Sequence, residues 1–285
     1  MSALPYPITD LHVHIGPWDE LHPGARARLV DERSDHAELA QLVADPRALL
    51  RRMDEEDVER VGLINYVAPE VMGFTAVVND FVVRYSAAAP DRLIAFGSVN
   101  PRHAKDPAAE VEALHRRGIR ALKIHPPHQL FAANAYLDAL PALGRIYATA
   151  QELGMPVMVH TGTSVFPGAR NRFADPMACD DVAVDFPELR LILAHAGRPL
   201  HCETAFFLAR RHPNVHLELS GIPPKRLLEY LPRLEQVADK TLWGTDWPDA
   251  GIPGMARNAQ DFLTLPLSPD VQRKILRDNA RRLFP

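Results

Sequence analysis

Five residues of metal-ligand type each close a short apolar run in this chain: His12 and His14 in ITDLHVH, His160 in MPVMVH, His195 in LRLILAH and Asp246 in TLWGTD. Glycine or proline follows soon after nearly every one. Imidazoles with a carboxylate are the donor set of a divalent transition metal such as zinc. One histidine ending a strand would mean little. Four apolar runs spread along the whole chain, each ended this way, point to one site at the mouth of a barrel.

His12 and His14 are two apart, so on a strand their side chains share a face. Leu11 and Val13 take the opposite parity and are apolar, as expected toward an outer layer, so the histidines turn inward. Barrel closure sets the last strand beside the first. Asp246 then faces the His12/His14 pair, and His160 approaches from across. Three neutral imidazoles and one carboxylate hold one divalent ion and leave a position for water, whose pKa the ion lowers. The expected metal is zinc, with manganese as the alternative. His195 is expected beside that water as acid or base.

The same parity turns Lys123 and His125 of ALKIHPP inward, with Leu122 and Ile124 outward. An inward lysine is costly unless paired or used. It binds a substrate carboxylate, bridges two metals as a carbamate, or forms a buried ion pair. His125 is a substrate contact or a core histidine. Arg198 in HAGRP, with Arg170 and Arg172, could clamp an anionic group, against the commoner reading of surface ion pairs. Trp247 walls the pocket or packs in the core. Asn65, Asn100 and Ser220 sit near strand ends that face the mouth. His22, His36, His103, His115, His201, His212 and His216 read as structural.

Strand-like and helix-like segments must alternate to position these residues. Strands are predicted over 8–14, 61–67, 93–99, 119–125, 156–160, 189–195, 215–219 and 241–244. Helices are predicted over 46–59, 76–89, from Asp106-Pro107 to Gly118, and over 140–153, 179–186, 203–211, 224–237 and 269–283. Asp45 is a candidate N-cap, with Pro46 at the first helical position. Alternation implies parallel pairing through crossovers. Eight such units in 285 residues fit an α/β fold of the (β/α)8 TIM-barrel type, a single domain over residues 1–285. A doubly wound sheet would place a Gly-rich phosphate turn after its first strand, where this chain has HVHIGPWD. Residues 16–44 read as a long loop after the first strand. They and the Gly/Pro-rich 247–258 connection both lie on the active-site side, as lids or as insertions packed on the surface.

The apolar share of 47% with 24% charged residues is ordinary for a globular chain. The net charge of −4, with no basic cluster, argues against nucleic acid as a partner. Two cysteines, Cys179 and Cys202, argue against a disulfide framework and fit a reducing compartment. MSALPYPITD lacks the pattern of a signal peptide, and no apolar run nears the roughly 20 residues that span a bilayer. A cytoplasmic protein acting on a small molecule is expected, without membrane partners. A homodimer is compatible, though no segment proves one.

HVH on the first strand, single histidines ending the fifth and sixth, and TDWP on the eighth resemble the amidohydrolase superfamily. The likeness runs from Asp10 to Phe284. It is strongest to the amidohydrolase-related (amidohydrolase 2) branch, which includes aminocarboxymuconate-semialdehyde decarboxylase, resorcylate decarboxylase and pyrone-dicarboxylate lactonase. The resemblance implies that His12, His14, His160 and Asp246 bind metal and that His195 is the catalytic acid/base. It also implies that Asp246 bonds the metal-bound water. The binuclear members carry a carbamylated lysine on strand four, where Lys123 stands; the branch resembled here usually holds one metal. The expected activity is metal-dependent hydrolysis of an ester, lactone or amide. Non-oxidative decarboxylation of an aromatic or enolic acid is the alternative. A metal-free binding barrel would need other partners for these buried polar groups.

Overall fold

Apolar runs that are buried on both faces belong to parallel sheets covered by helices, and eight of them build this molecule. The computed structural model describes residues 4–31, 33–249 and 251–285. Its strands are Ile8–Val13 (β1), Val58–Leu63 (β2), Leu93–Gly97 (β3), Ala121–Ile124 (β4), Val157–His160 (β5), Leu191–Ala194 (β6), Val215–Glu218 (β7) and Thr241–Leu242 (β8). They pair in parallel in the order β1 to β8. The barrel closes through backbone bonds beyond the short β8: Leu11 N to Trp243 O at 3.0 Å, Asp246 N to His12 O at 2.9 Å and His14 N to Trp247 O at 2.8 Å. These bonds carry Asp246 up beside His12 and His14.

Several helix starts follow from local chemistry. Asp45 accepts from Arg47 N at 2.9 Å, Asp106 from Ala109 N at 3.2 Å and Ser268 from Val271 N at 3.3 Å. Each precedes a proline in the first turn, where the missing N–H costs nothing. The outer parity of the strands packs on the helices: Leu11, Val13, Leu122, Ile124, Val157, Val159, Leu191 and Leu193 are all at most 1% exposed.

The structure departs from the sequence reading in several places. The expected loop over 16–44 is largely helical, with turns at Trp18–Glu20, Pro23–Arg26 and Ala27–Asp31 and a helix at His36–Ala44. Glu32 in that connection, Ala250 in the 247–258 connection and residues 1–3 lie outside the described residues. The expected helix over 224–237 breaks into Pro224–Arg226, Leu227–Tyr230 and Leu234–Lys240, because Pro232 cannot donate to a continuing helix. The second strand begins and ends earlier than its apolar pattern suggests. Only two residues of the eighth join the ladder. Among the described residues no helix is long and apolar enough to cross a membrane.

Candidate active site

The register decides which side chains meet. Lys123 pairs with Met158, His160 with Ala194, and Glu218 with Leu242. Neighbours across parallel strands share a face, so Lys123, His160 and Glu218 point inward, and two residues at a time the face runs on to Ser220, Gly244 and Asp246. By the same alternation His195 belongs on the outer face with Leu191 and Leu193. A left-handed backbone at His195 (φ 63°) and Ala196 (φ 44°) breaks the alternation and turns the ring inward. Asp246 is also left-handed, at φ 73°. Non-glycine residues held in this region cost about 1–3 kcal/mol each and concentrate at functional sites.

A cavity of about 280 Å³ opens at this end of the barrel. At one pole Asp246 gathers the imidazoles. Its Oδ1 lies 3.1 Å from His14 Nε2 and 3.4 Å from His12 Nε2, and its Oδ2 lies 3.7 Å from His195 Nδ1. Arg198 Nη2 donates to Oδ2 at 3.1 Å. Ring centroids of His12 and His195 are 4.8 Å apart, and those of His160 and His195 4.5 Å. Much of the remaining lining is apolar, from Trp18, Leu29, Ile64, Met72, Phe74 and Phe166. Both connections suspected of covering the site do contribute, through Trp18 and Leu29 on one and Pro248 and Asp249 on the other.

Burial shapes the protonation states. It pulls His12 down to about 4, aided by the Lys123 charge, and holds His160 and His195 well below the ordinary imidazole value. For Asp246 burial acts upward, but the surrounding His195, His12 and His14 outweigh it and keep the carboxyl well below its usual range. Lys123 falls to about 8, chiefly through burial, against the pull of Glu218 and Asp246. Neutral imidazoles beside an ionised carboxylate are what a metal cation requires.

Four buried polar atoms of residues lining this cavity have no hydrogen-bond partner among the described residues: His12 Nε2, His160 Nε2, Lys123 Nζ and Arg198 Nε. Buried groups of this kind are costly unless something else satisfies them. His12, His195 and Asp246 offer ligand atoms within 4.8 Å of one another. The donor set therefore fits a divalent ion, with His12, Asp246 and a choice among His14, His160 and His195 as its holders.

Other expected residues fall on either side. Lys123, His125 and Arg198 line the cavity, as does Asn65. Trp247 does not: the left-handed turn at Asp246 sends its ring into the core, where it is 4% exposed under the Arg52 guanidinium. Arg170 and Arg172 are exposed on the connection after β5. Asn100 spends its amide on Val67 O at 3.2 Å.

Four contributors escaped the sequence reading. Glu218 is fully buried and meets His12 Nδ1 at 2.9 Å. It stands two before Ser220, the same spacing that singled out His12 and His14, so parity would have found it. His128 stacks on His125 at 3.6 Å, and His125 on His160 at 3.7 Å. Tyr66 O–H and Ser164 Oγ hold the two nitrogens of His128 at 3.0 and 2.7 Å. Nothing in the periodicity marks His128, which lies past a strand end, or Tyr66, which the sequence reading put inside the 61–67 run but which the structure places beyond the end of β2.

A family model described as Amidohydrolase matches residues 9–285. The chain is 27% identical to a 4-sulfomuconolactone hydrolase of Rhizobium radiobacter over 309 residues, covering 99% of this chain and 91% of that one. It is also 27% identical to an L-fucono-1,5-lactonase of Burkholderia ambifaria over 123 residues, a match spanning 35% of this chain and 42% of the lactonase. Similar solved structures include an uncharacterized TIM-barrel protein of Bordetella bronchiseptica, with TM-score 0.72 and 22% identity over 97% of this chain and 98% of that one. A probable 2-pyrone-4,6-dicarboxylic acid hydrolase of Acinetobacter baumannii superposes with TM-score 0.69 at 17% identity, over 97% and 98%. A 5-carboxyvanillate decarboxylase of Novosphingobium aromaticivorans, complexed with manganese and 4-hydroxy-3-methoxy-5-nitrobenzoic acid, superposes with TM-score 0.68 at 15% identity, over 98% and 96%. At these identities the solved structures establish the shared barrel. With the family model matched along nearly its whole length, this chain belongs to the amidohydrolase superfamily, in its amidohydrolase-related branch.

Proposed function

We propose that this protein is a metal-dependent hydrolase that opens an ester, lactone or amide of a small anionic molecule. The observation that carries the reading is Asp246, held ionised with His14 and His12 nitrogens at 3.1 and 3.4 Å, beside imidazole nitrogens that lack partners. The lactone hydrolase that aligns with 99% of the chain supports the reaction class. His12, His14, His160 and Asp246 are the proposed holders of one ion, zinc or else manganese. Such an ion supplies an electrophile and an acidified water near neutral pH. Asp246 takes the proton of the attacking water, and that same proton reaches the leaving group through His195, which is neutral before and after the transfer. Lys123 and Arg198 draw an anionic group of the substrate into the cavity, and His125 contacts its face. A cavity of about 280 Å³ limits the substrate to a small molecule.

A second reading, decarboxylation of an aromatic or enolic acid, draws support from Lys123 and Arg198, two cationic groups facing the same pole. There the pair would hold the carboxylate that departs. Mass balance separates the readings: hydrolysis adds water, and decarboxylation releases carbon dioxide.

Metal content of protein purified without a metal-affinity tag is expected near one ion per chain. Zinc-loaded protein would then be screened against lactones, esters and aromatic or enolic acids. About two ions would bring Lys123 into the site as a carbamate. No metal after reconstitution with excess zinc would overturn both readings and favour a binding barrel.

A further inference from the structure

Glu218 is a buried carboxylate at this end of the barrel that the proposed chemistry leaves unused. It sits on the last residue of β7, is fully buried, and has no lysine or arginine within ion-pair distance among the described residues. Its oxygens accept from Ser220 N at 2.7 Å, Ser220 Oγ at 2.8 Å and His195 N at 3.4 Å. The remaining contact, at 2.9 Å, is His12 Nδ1. A carboxylate only accepts, so His12 Nδ1 must carry the hydrogen. The lone pair of His12 then lies on Nε2, the atom facing Asp246 that has no hydrogen-bond partner.

The same logic passes through Ser220. Its hydroxyl hydrogen goes to Glu218, which leaves Oγ an acceptor toward both His12 Nδ1 at 3.1 Å and His195 Nδ1 at 2.9 Å. The Ser220 carbonyl oxygen lies 3.2 Å from the same nitrogen and also only accepts. His195 Nδ1 therefore carries a hydrogen too. Nδ1, the nitrogen 3.7 Å from Asp246, is thus occupied as a donor to Ser220, and Nε2 is the proton-accepting atom. Gly244 makes the arrangement sterically feasible. A Cβ at that position would lie 2.2 Å from Glu218 Oε1 and 2.7 Å from His12 Cβ.

We infer that Glu218, acting with Ser220, is a positioning residue that holds His12 and His195 in the Nδ1–H tautomer and so presents both Nε2 lone pairs to the site. One buried carboxylate thereby sets the hydrogen placement of a proposed metal ligand and of the proposed acid/base. Partners behind a ligating histidine commonly change metal affinity about 10–100-fold when removed. The link to metal rests on the proposed metal-dependent reading, whereas the tautomers do not.

The test uses the full chain in its metal-free form, with long-range proton–nitrogen correlation of the imidazoles and, separately, zinc affinity by competition with a chromophoric chelator. Wild-type protein is expected to show Nδ1–H on His12 and His195. Glu218→Gln places an amide donor among donors; it is expected to mix the His12 tautomers and to weaken zinc about 10–100-fold. Wild-type tautomers and zinc affinity within twofold in Glu218→Gln would overturn the positioning role. If that variant does not fold, the wild-type spectrum decides, since Nε2–H on His12 overturns the assignment by itself. Wild-type protein that shows both Nδ1–H tautomers yet binds no zinc would sink the metal-dependent reading and leave the tautomer assignment standing.

Discussion

At the scale of residues the site is a contest between burial and charge. Asp246 remains ionised although burial opposes it, because the imidazoles around it outweigh desolvation. Removing that carboxylate charge takes away the group that gathers His12, His14, His195 and Arg198. Asp246→Asn and His14→Ala are both expected to lower bound metal per chain severalfold and activity at least about 100-fold, since metal sites need their full ligand count. Near-normal occupancy in both, by elemental analysis, would refute the ligand assignment. His195→Ala should keep its metal and lose turnover by about 10²–10⁴, the range of an acid/base group. Loss of metal in that variant would instead make His195 a ligand, in keeping with its place in the close group with His12 and Asp246.

At the scale of elements, strands point the chemistry and helices supply stability at a distance from it. The helix over Pro107–Arg116 is capped by Asp106 on exposed backbone. Asp106→Ala should cost about 1 kcal/mol of stability, seen as a lower denaturant midpoint, with unchanged kcat/KM. A changed kcat/KM would couple the outer layer to the site. Between β7 and β8 the case reverses. Gly244→Ala pushes a methyl against Glu218 and the backbone side of His12. Overpacking there should destabilise by about 1–3 kcal/mol and weaken metal binding together, so a loss of stability with full affinity would argue against the tight seating of Glu218.

At the scale of the whole molecule, the barrel interior stores histidines in their neutral form. His12 and His216 are pulled down to about 4 and His128 to about 3, each chiefly by burial. In the unfolded chain they take up protons near 6.5. Folded pKa values below unfolded ones mean that stability is full above about 6.5 and is lost as pH falls toward 4. Metal-free protein should therefore show a falling unfolding free energy across that window. His216, inside the barrel and away from the cavity lining, isolates the effect, since its Nδ1 has no partner. His216→Gln should flatten the pH dependence by about 1–3 kcal/mol. An unchanged slope in denaturant titrations at pH 7, 5.5 and 4.5 would refute that account.

Local chemistry and period determined a great deal about this protein without its tertiary structure. Apolar runs of strand length alternating with amphipathic ones specify eight β/α units. The parity of His12, His14, Lys123 and His125 turns them inward, because a strand has only two faces. Caps such as Asp45 and Asp106 are legible for the same reason: their partners lie two or three residues away. The tertiary structure alone decided what depends on partners far along the chain. Alternation would face His195 outward, and only a left-handed turn brings it in. Glu218 acquires its role from His12, 206 residues away. Tyr66, His128 and Ser164 meet across three separate connections. Trp247 left the cavity because the backbone turned at Asp246. A sequence displays period and neighbours, whereas register, loop path and closure are set by the packing of the whole barrel.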